Sequence, residues 1–194
     1  MKSTDGVTSN KFSTKNLTST SGRLDIIFRC LLAAFSFDYT NIIFHTVLNG
    51  PPNPPKALKF VGNQIDPLPI DEIGMAQLFQ MILDPNNSKQ LEGVYLTNSA
   101  FLQVAQELAQ EGPLILLQEK TLPLQDYFNE LKNKVINLDS IIFILGDSLD
   151  LKNDELEFLV KELNAIPVTL GSQSYLASHC IVFVLMELEK LKLK

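Results

Sequence analysis

The stretch "SIIFILGD", residues 140–147, sets an unbroken apolar run directly against a glycine and an acid. A strand with one wet face alternates apolar and polar side chains, whereas a strand covered on both faces reads as continuous apolar residues. Residues 141–145 therefore read as a central strand of a parallel sheet. The same kind of segment recurs on either side. "GVYL" (93–96), "LILL" (114–117) and "IPVTL" (166–170) read as strands, and residues 98–110, 123–134, 153–164 and 178–191 read as helices. Strands that alternate with helices imply an α/β fold, a parallel sheet with helices on both faces.

Toward the N-terminus the pattern changes. Residues 71–83 read as a helix, "KALKFVG" (56–62) as an extended piece and "NIIFHTVL" (41–48) as a strand. Between the last two lies "NGPPNPP" (49–55), rigid because its four prolines fix φ and remove amide donors. "SGRLDIIFRCLLAAF" (21–35) carries apolar residues at helical spacing, with Ser21 as the expected N-cap and Asp25 in the first turn. Residues 1–21 are polar, lack an apolar period and read as a loop or tail. Neither an internal repeat nor a linker divides the chain, so residues 1–194 are expected to form one domain.

Composition narrows the classes. Hydrophobic residues make up 45% and charged residues 20%, as in ordinary globular proteins. No apolar run reaches the roughly 18 residues that a membrane span needs, and the polar start does not resemble a secretory signal. Two cysteines cannot make a disulfide framework, so reduced thiols in the cytoplasm are expected. The net charge of −6 argues against a nucleic-acid partner, but it is unevenly spread. Residues 1–60 carry seven Lys/Arg against three acids, a local excess of four positive charges. Local potential steers an anion better than the global sum suggests. Lysines also scatter over any surface, and composition alone favours that plainer reading.

In open α/β sheets, ligands lie beyond the carboxyl ends of the strands. Three such ends stand out: Leu117, Gly146-Asp147 and the loop beginning Gly171-Ser172-Gln173-Ser174. Glycine lets backbone approach a ligand closely, so a cofactor pocket is expected there. The chain has no GxGxxG and no GxxxxGK[ST], so dinucleotide and P-loop chemistry are not indicated. His179 and Cys180 are neighbours on a helix, about 100° apart, and do not converge on a metal. The same geometry disfavours a Cys–His nucleophilic pair. Packing at the start of a buried helix is the better reading for both, and no metal is expected.

"SGRLDIIFRCLLAAF", "NGPPNPPKALKFVG", "GVYL", "IIFILGD" and "VTLGSQSYLASHCIVFVLMEL" occur in the order and spacing of the archaeal tRNA (pseudouridine-54) N1-methyltransferases, of the SPOUT superfamily. The chain resembles that family from about residue 3 to 190. The resemblance implies a SPOUT-type, mostly parallel sheet with a C-terminal trefoil knot, in which S-adenosyl-L-methionine is gripped by three loops. Carried over, the cofactor positions are Leu117, Gly146, Leu170, Gly171, Ser172, Gln173, Ser174, Tyr175 and Cys180, with Leu117 able to shift by one. Cys180 then becomes a pocket wall. The resemblance also implies a homodimer with a tRNA substrate. The family's first strand is longer than Met1-Lys2 provides, so the sheet is expected to lack most of an edge strand.

The expected reaction is methyl transfer to N1 of pseudouridine 54 in the tRNA T-loop. Methylation of ribosomal RNA pseudouridine and non-catalytic binding of RNA or cofactor are the alternatives. Transfer from a sulfonium needs alignment and removal of a proton, not a metal. Asp25 is the candidate base, with Arg23 beside it to hold a phosphate or stabilise developing charge. A simple helix-end role for Asp25 is the competing reading. Asp147 is a second candidate that can equally shape its loop. Arg23, Arg29, Lys56 and Lys59 are the candidate phosphate ligands, and the two arginines are the only ones in the chain.

Overall fold

A computed structural model of the chain describes residues 1–36, 40–89, 91–133 and 140–192. They group into two compact units, Met1–Phe101 and Leu102–Lys194.

The first unit contains β1 (Lys2–Ser3), α1 (Leu17–Thr20), α2 (Leu24–Ala34), β2 (Ile43–Leu48), β3 (Lys56–Val61), α3 (Glu72–Ile82) and β4 (Val94–Thr97). Its sheet has the order β1-β2-β3-β4. β1 runs parallel to β2, but β2–β3 and β3–β4 are antiparallel. The antiparallel pairing of β2 with β3 has a steric reason. A parallel crossover needs a dozen or more residues, and the proline loop between β2 and β3 is too short for one. Phe44, Leu58 and Phe60 fill one face of the sheet. Phe60 stacks on Phe79 of α3 at 6.0 Å, and Phe79 meets Phe28 of α2 at 4.8 Å.

Residues 1–21 are not a tail. Met1, Lys2, Ser3, Thr8, Phe12, Leu17 and Ser21 are buried. The amide of Thr8 donates to the Pro51 carbonyl (2.9 Å), and its hydroxyl donates to the Gly50 carbonyl (3.0 Å) and accepts from the Asn53 amide (2.8 Å). These bonds satisfy backbone groups that the proline loop cannot pair internally. The segment lacks periodicity because side-chain hydrogen bonds, not an amphipathic face, hold it. At the edge of this sheet stands the two-residue β1, registered against Val47 and Leu48. The N-cap of α2 is Arg23, in the left-handed region at φ 68°, rather than Ser21. Ser21 still accepts the amide of Leu24 at 3.1 Å, so the capping bond forms from two residues earlier.

The second unit contains α4 (Phe101–Leu108, which starts at the boundary), β5 (Leu114–Pro123), α5 (Leu124–Asn133), β6 (Ile142–Ile144), α6 (Asn153–Lys161), β7 (Ile166–Thr169) and α7 (Ala177–Lys192). Residue 134, the end of the expected 123–134 helix, lies outside the described residues. The sheet is wholly parallel, in the order β6-β5-β7. Among the described residues the "IIFIL" strand is an edge strand and not the central one. β5 is central, with Leu114, Ile115 and Leu116 all buried. β6 is less covered than its apolar run suggests: Ile142 and Phe143 are half-buried, and Ile144 alone of its three residues is buried. Leu124, Tyr127 and Phe128 of α5 and Val184 of α7 pack with Ile115 and Val168.

β5 also runs beyond its expected end at Leu117. Leu117 and Leu122 both pair with Val168, so residues 118–121 bulge out of the ladder. Lys120 turns the bulge with φ 59°, and the Thr121 hydroxyl closes it on the Gln118 carbonyl at 2.8 Å.

Candidate functional site

The parallel register of β5, β6 and β7 brings their carboxyl ends to one edge of the sheet. Two adjoining cavities open there.

The first, of about 480 Å³, is walled by three segments. Leu117 to Lys120 come from the β5 bulge, Leu145 to Asp147 from the end of β6, and Val168 to Leu170 with Gln173 to Tyr175 from the end of β7. Cys180 of α7 completes it. Seven of the expected cofactor positions line this cavity: Leu117, Gly146, Leu170, Gln173, Ser174, Tyr175 and Cys180. Gly171 and Ser172 line the second cavity, of about 680 Å³, together with Pro123, Leu124, Gln125 and Phe183. Four residues, Glu119, Lys120, Thr169 and Leu170, line both and form the partition.

Gly146 has a specific reason to be glycine. A Cβ there would lie 3.0 Å from the Cα and carbonyl carbon of Asp150 and 3.2 Å from the Leu151 amide nitrogen. The 147–151 loop folds back onto that bare backbone and becomes a cavity wall. Asp147 holds the turn, because its carboxylate accepts the Leu149 amide at 2.9 Å. Burial pushes the Cys180 thiol pKa above its ordinary value. A thiol held protonated is a poor nucleophile. His179, its neighbour, is exposed.

The other expected residues belong to the first unit. Asp25 is 2% exposed and is clamped by both arginines. Arg23 donates through Nε at 2.9 Å and Nη2 at 3.1 Å, and Arg29 donates through Nη2 at 2.9 Å. The carboxylate is buried while both guanidiniums stay nearly half exposed. This is how an acid holds two cations in place. Lys56 and Lys59 do not share a face: three residues apart on β3, their side chains leave opposite sides of the sheet. Lys56 donates to Asn98 at 2.7 Å, and Lys59 stands opposite His45 and Tyr95.

Glu119 was not singled out by the sequence. It sits in the bulge, lines both cavities and accepts a hydrogen bond from the Ser174 hydroxyl. Its neighbours "LLQEKTLP" carry no turn signal such as Gly or Asn that would have marked a bulge. Among the described residues there is no group of three His, Cys, Asp or Glu side chains placed to hold a metal, and no helix long and apolar enough to cross a membrane.

A family model for SAM-dependent RNA methyltransferases matches residues 1–193. The tRNA (pseudouridine(54)-N(1))-methyltransferase of Methanococcus vannielii is 34% identical, over 99% of this chain and 98% of that protein. The enzyme of the same name from Pyrococcus abyssi is 31% identical, over 98% of this chain and 96% of that protein. This chain belongs to the SAM-dependent RNA methyltransferase family. Among solved structures, Archaeoglobus fulgidus Nep1 bound to S-adenosylhomocysteine superposes with a TM-score of 0.61 at 18% identity, covering 90% of this chain and 73% of that one. That likeness concerns the fold.

The cavity fits the cofactor of a SAM-dependent methyltransferase. Its volume of about 480 Å³ is within the usual range for a small-molecule site. Leu145, Leu151, Val168 and Leu170 give apolar walls, and the three strand ends bring peptide groups to its edge.

Proposed function

We propose that this chain is a tRNA methyltransferase that transfers the methyl group of S-adenosyl-L-methionine to N1 of pseudouridine 54. One observation carries the reading: three strand-end loops converge on a single cavity, in a chain that belongs to the methyltransferase family. The curated relatives support the position on tRNA.

When bound, the cofactor supplies a methyl group already activated on a sulfonium. The 145–151 and 168–175 loops would hold it by apolar contact and backbone polar groups, with Cys180 as wall. The protein's remaining work is to orient the RNA and remove the N1 proton. Asp25 positions Arg23 and Arg29, whose exposed guanidiniums bind RNA phosphates with Lys56 and Lys59 on either face of β3. The fold is a SPOUT fold with a C-terminal knot, it works as a homodimer, and it acts in the cytoplasm.

The test combines two readouts. Isothermal titration with S-adenosylhomocysteine gives binding at one site per chain. Nucleoside mass spectrometry of T-loop RNA after incubation gives N1-methylpseudouridine. Binding without any methyl product would leave a cofactor-binding protein in place of an enzyme.

A further inference from the structure

The cavity of about 680 Å³ lies beside the cofactor cavity, and Glu119 lines both. Resting on the methyltransferase reading, we propose that this second cavity receives the acceptor uracil ring and that Glu119, on the partition, takes its N1 proton.

An acceptor in an in-line displacement must approach the methyl from the side opposite the leaving sulfur. It needs a space beside the cofactor cavity, without packed core between the two. The second cavity adjoins the first along Glu119, Lys120, Thr169 and Leu170, none of them a buried core residue. Enzymes that act on a base take it out of the stack and hold it between aromatic or apolar side chains while polar groups read its edge. Leu124 and Phe183 supply the apolar surface, and Phe183 stacks on Tyr175 of the first cavity with ring centroids 6.5 Å apart. Gln125 offers a carboxamide, donor and acceptor together, which matches the imide edge of a uracil ring. Its amide nitrogen also reaches Glu187 at 3.5 Å, a contact long enough to be given up.

Glu119 is the carboxylate common to both cavities. It accepts one hydrogen bond from Ser174, and a carboxylate has about four lone-pair positions, so it has room for a second donor. N1 loses its proton to Glu119 and uses the freed pair to bond the methyl carbon. Sulfur retains the pair of the broken carbon–sulfur bond and ends as a neutral thioether. Glu119 then passes the proton to water. Ser174 fixes the carboxylate, which ties the β5 bulge to the β7 loop at the point where the reaction occurs.

Two variants test this, Glu119→Gln and the exposed-residue change Gln125→Ala. Glu119→Gln lowers the single-turnover rate by roughly 10²-fold or more. Its affinities for S-adenosylhomocysteine and for fluorescein-labelled pseudouridine T-loop RNA stay within about twofold, and its rate climbs with pH as hydroxide takes over. Gln125→Ala weakens that RNA about fivefold and leaves S-adenosylhomocysteine binding alone, the size of one lost hydrogen bond. A Glu119→Gln rate within threefold of wild type, or a loss of S-adenosylhomocysteine binding in that variant, overturns the proton role. Unchanged RNA affinity in Gln125→Ala overturns the second cavity as the base site. A wild-type protein that transfers no methyl group removes the methyltransferase reading itself, and the inference with it. That outcome is distinct from a wild type that works while the variants match it.

Discussion

Asp25 lies buried under two half-exposed arginines, so its carboxylate answers a structural demand before any chemical one. Asp25→Asn leaves two guanidiniums sharing a neutral amide. We expect a stability loss of about 1–3 kcal/mol by thermal denaturation, discounted for the solvent around the arginines. RNA affinity should weaken with it, while single turnover at saturating RNA stays close to wild type. A rate loss of about 10²-fold at saturation would return the base role to Asp25. Cys180→Ala should keep turnover within about threefold, where removal of a true nucleophile costs several orders of magnitude. His45 offers a pH test. Burial, then the N-terminal ammonium, then Lys59 lower its pKa from 6.5 to about 4. A lowered folded-state value means that the unfolded chain binds the proton first as pH falls. Its contribution to stability is full above 6.5 and is lost on the way down to about 4. His45→Gln should flatten the melting temperature across that window in a pH series.

At the level of elements, the carboxyl-end rule pointed to the cavity edge without any motif. Leu117, Gly146 and the 170–175 loop were visible as strand ends, and the parallel register carries them to one edge. What stayed hidden has physical causes. The β5 bulge is built by Lys120 in a left-handed conformation that sequence seldom marks with a lysine, so Glu119 could not be placed. The packed N-terminal segment is held by hydroxyl groups such as that of Thr8, which leave no periodic trace. Antiparallel pairing of β2 and β3 was readable in principle from the shortness of the proline loop. The position of β6 in the sheet stayed hidden because an apolar run does not count a strand's neighbours, and Ile142 and Phe143 are only half-buried. Gly146→Val tests the loop. Its side chain must displace the Asp150–Leu151 backbone, not merely fill the cavity. We expect the stabilisation by saturating S-adenosylhomocysteine, about 2.7 kcal/mol at a hundredfold excess over Kd and read as a melting-temperature rise in the wild type, to vanish. A preserved rise would mean that the 147–151 loop is not a wall of the cofactor site.

For the molecule as a whole, the exposed apolar residues Tyr175, Leu176 and Met186 lie on or just before α7, at 46%, 60% and 50% exposure. Under the proposed homodimer they meet a second copy, and light scattering at micromolar concentration should give twice the chain mass. Met186→Lys should shift that toward monomer, and a wild-type monomer would contradict the dimer. Methyl transfer to N1 of pseudouridine is read directly by a pair of RNAs. Two T-loop RNAs that differ only in carrying pseudouridine or uridine at position 54 are incubated with the protein and S-adenosyl-L-methionine, and each is digested to nucleosides for mass spectrometry. We expect one methyl group on N1 of pseudouridine in the first RNA and none in the second, because only pseudouridine presents a free N1–H. Methylation of both RNAs, or of neither, would contradict this.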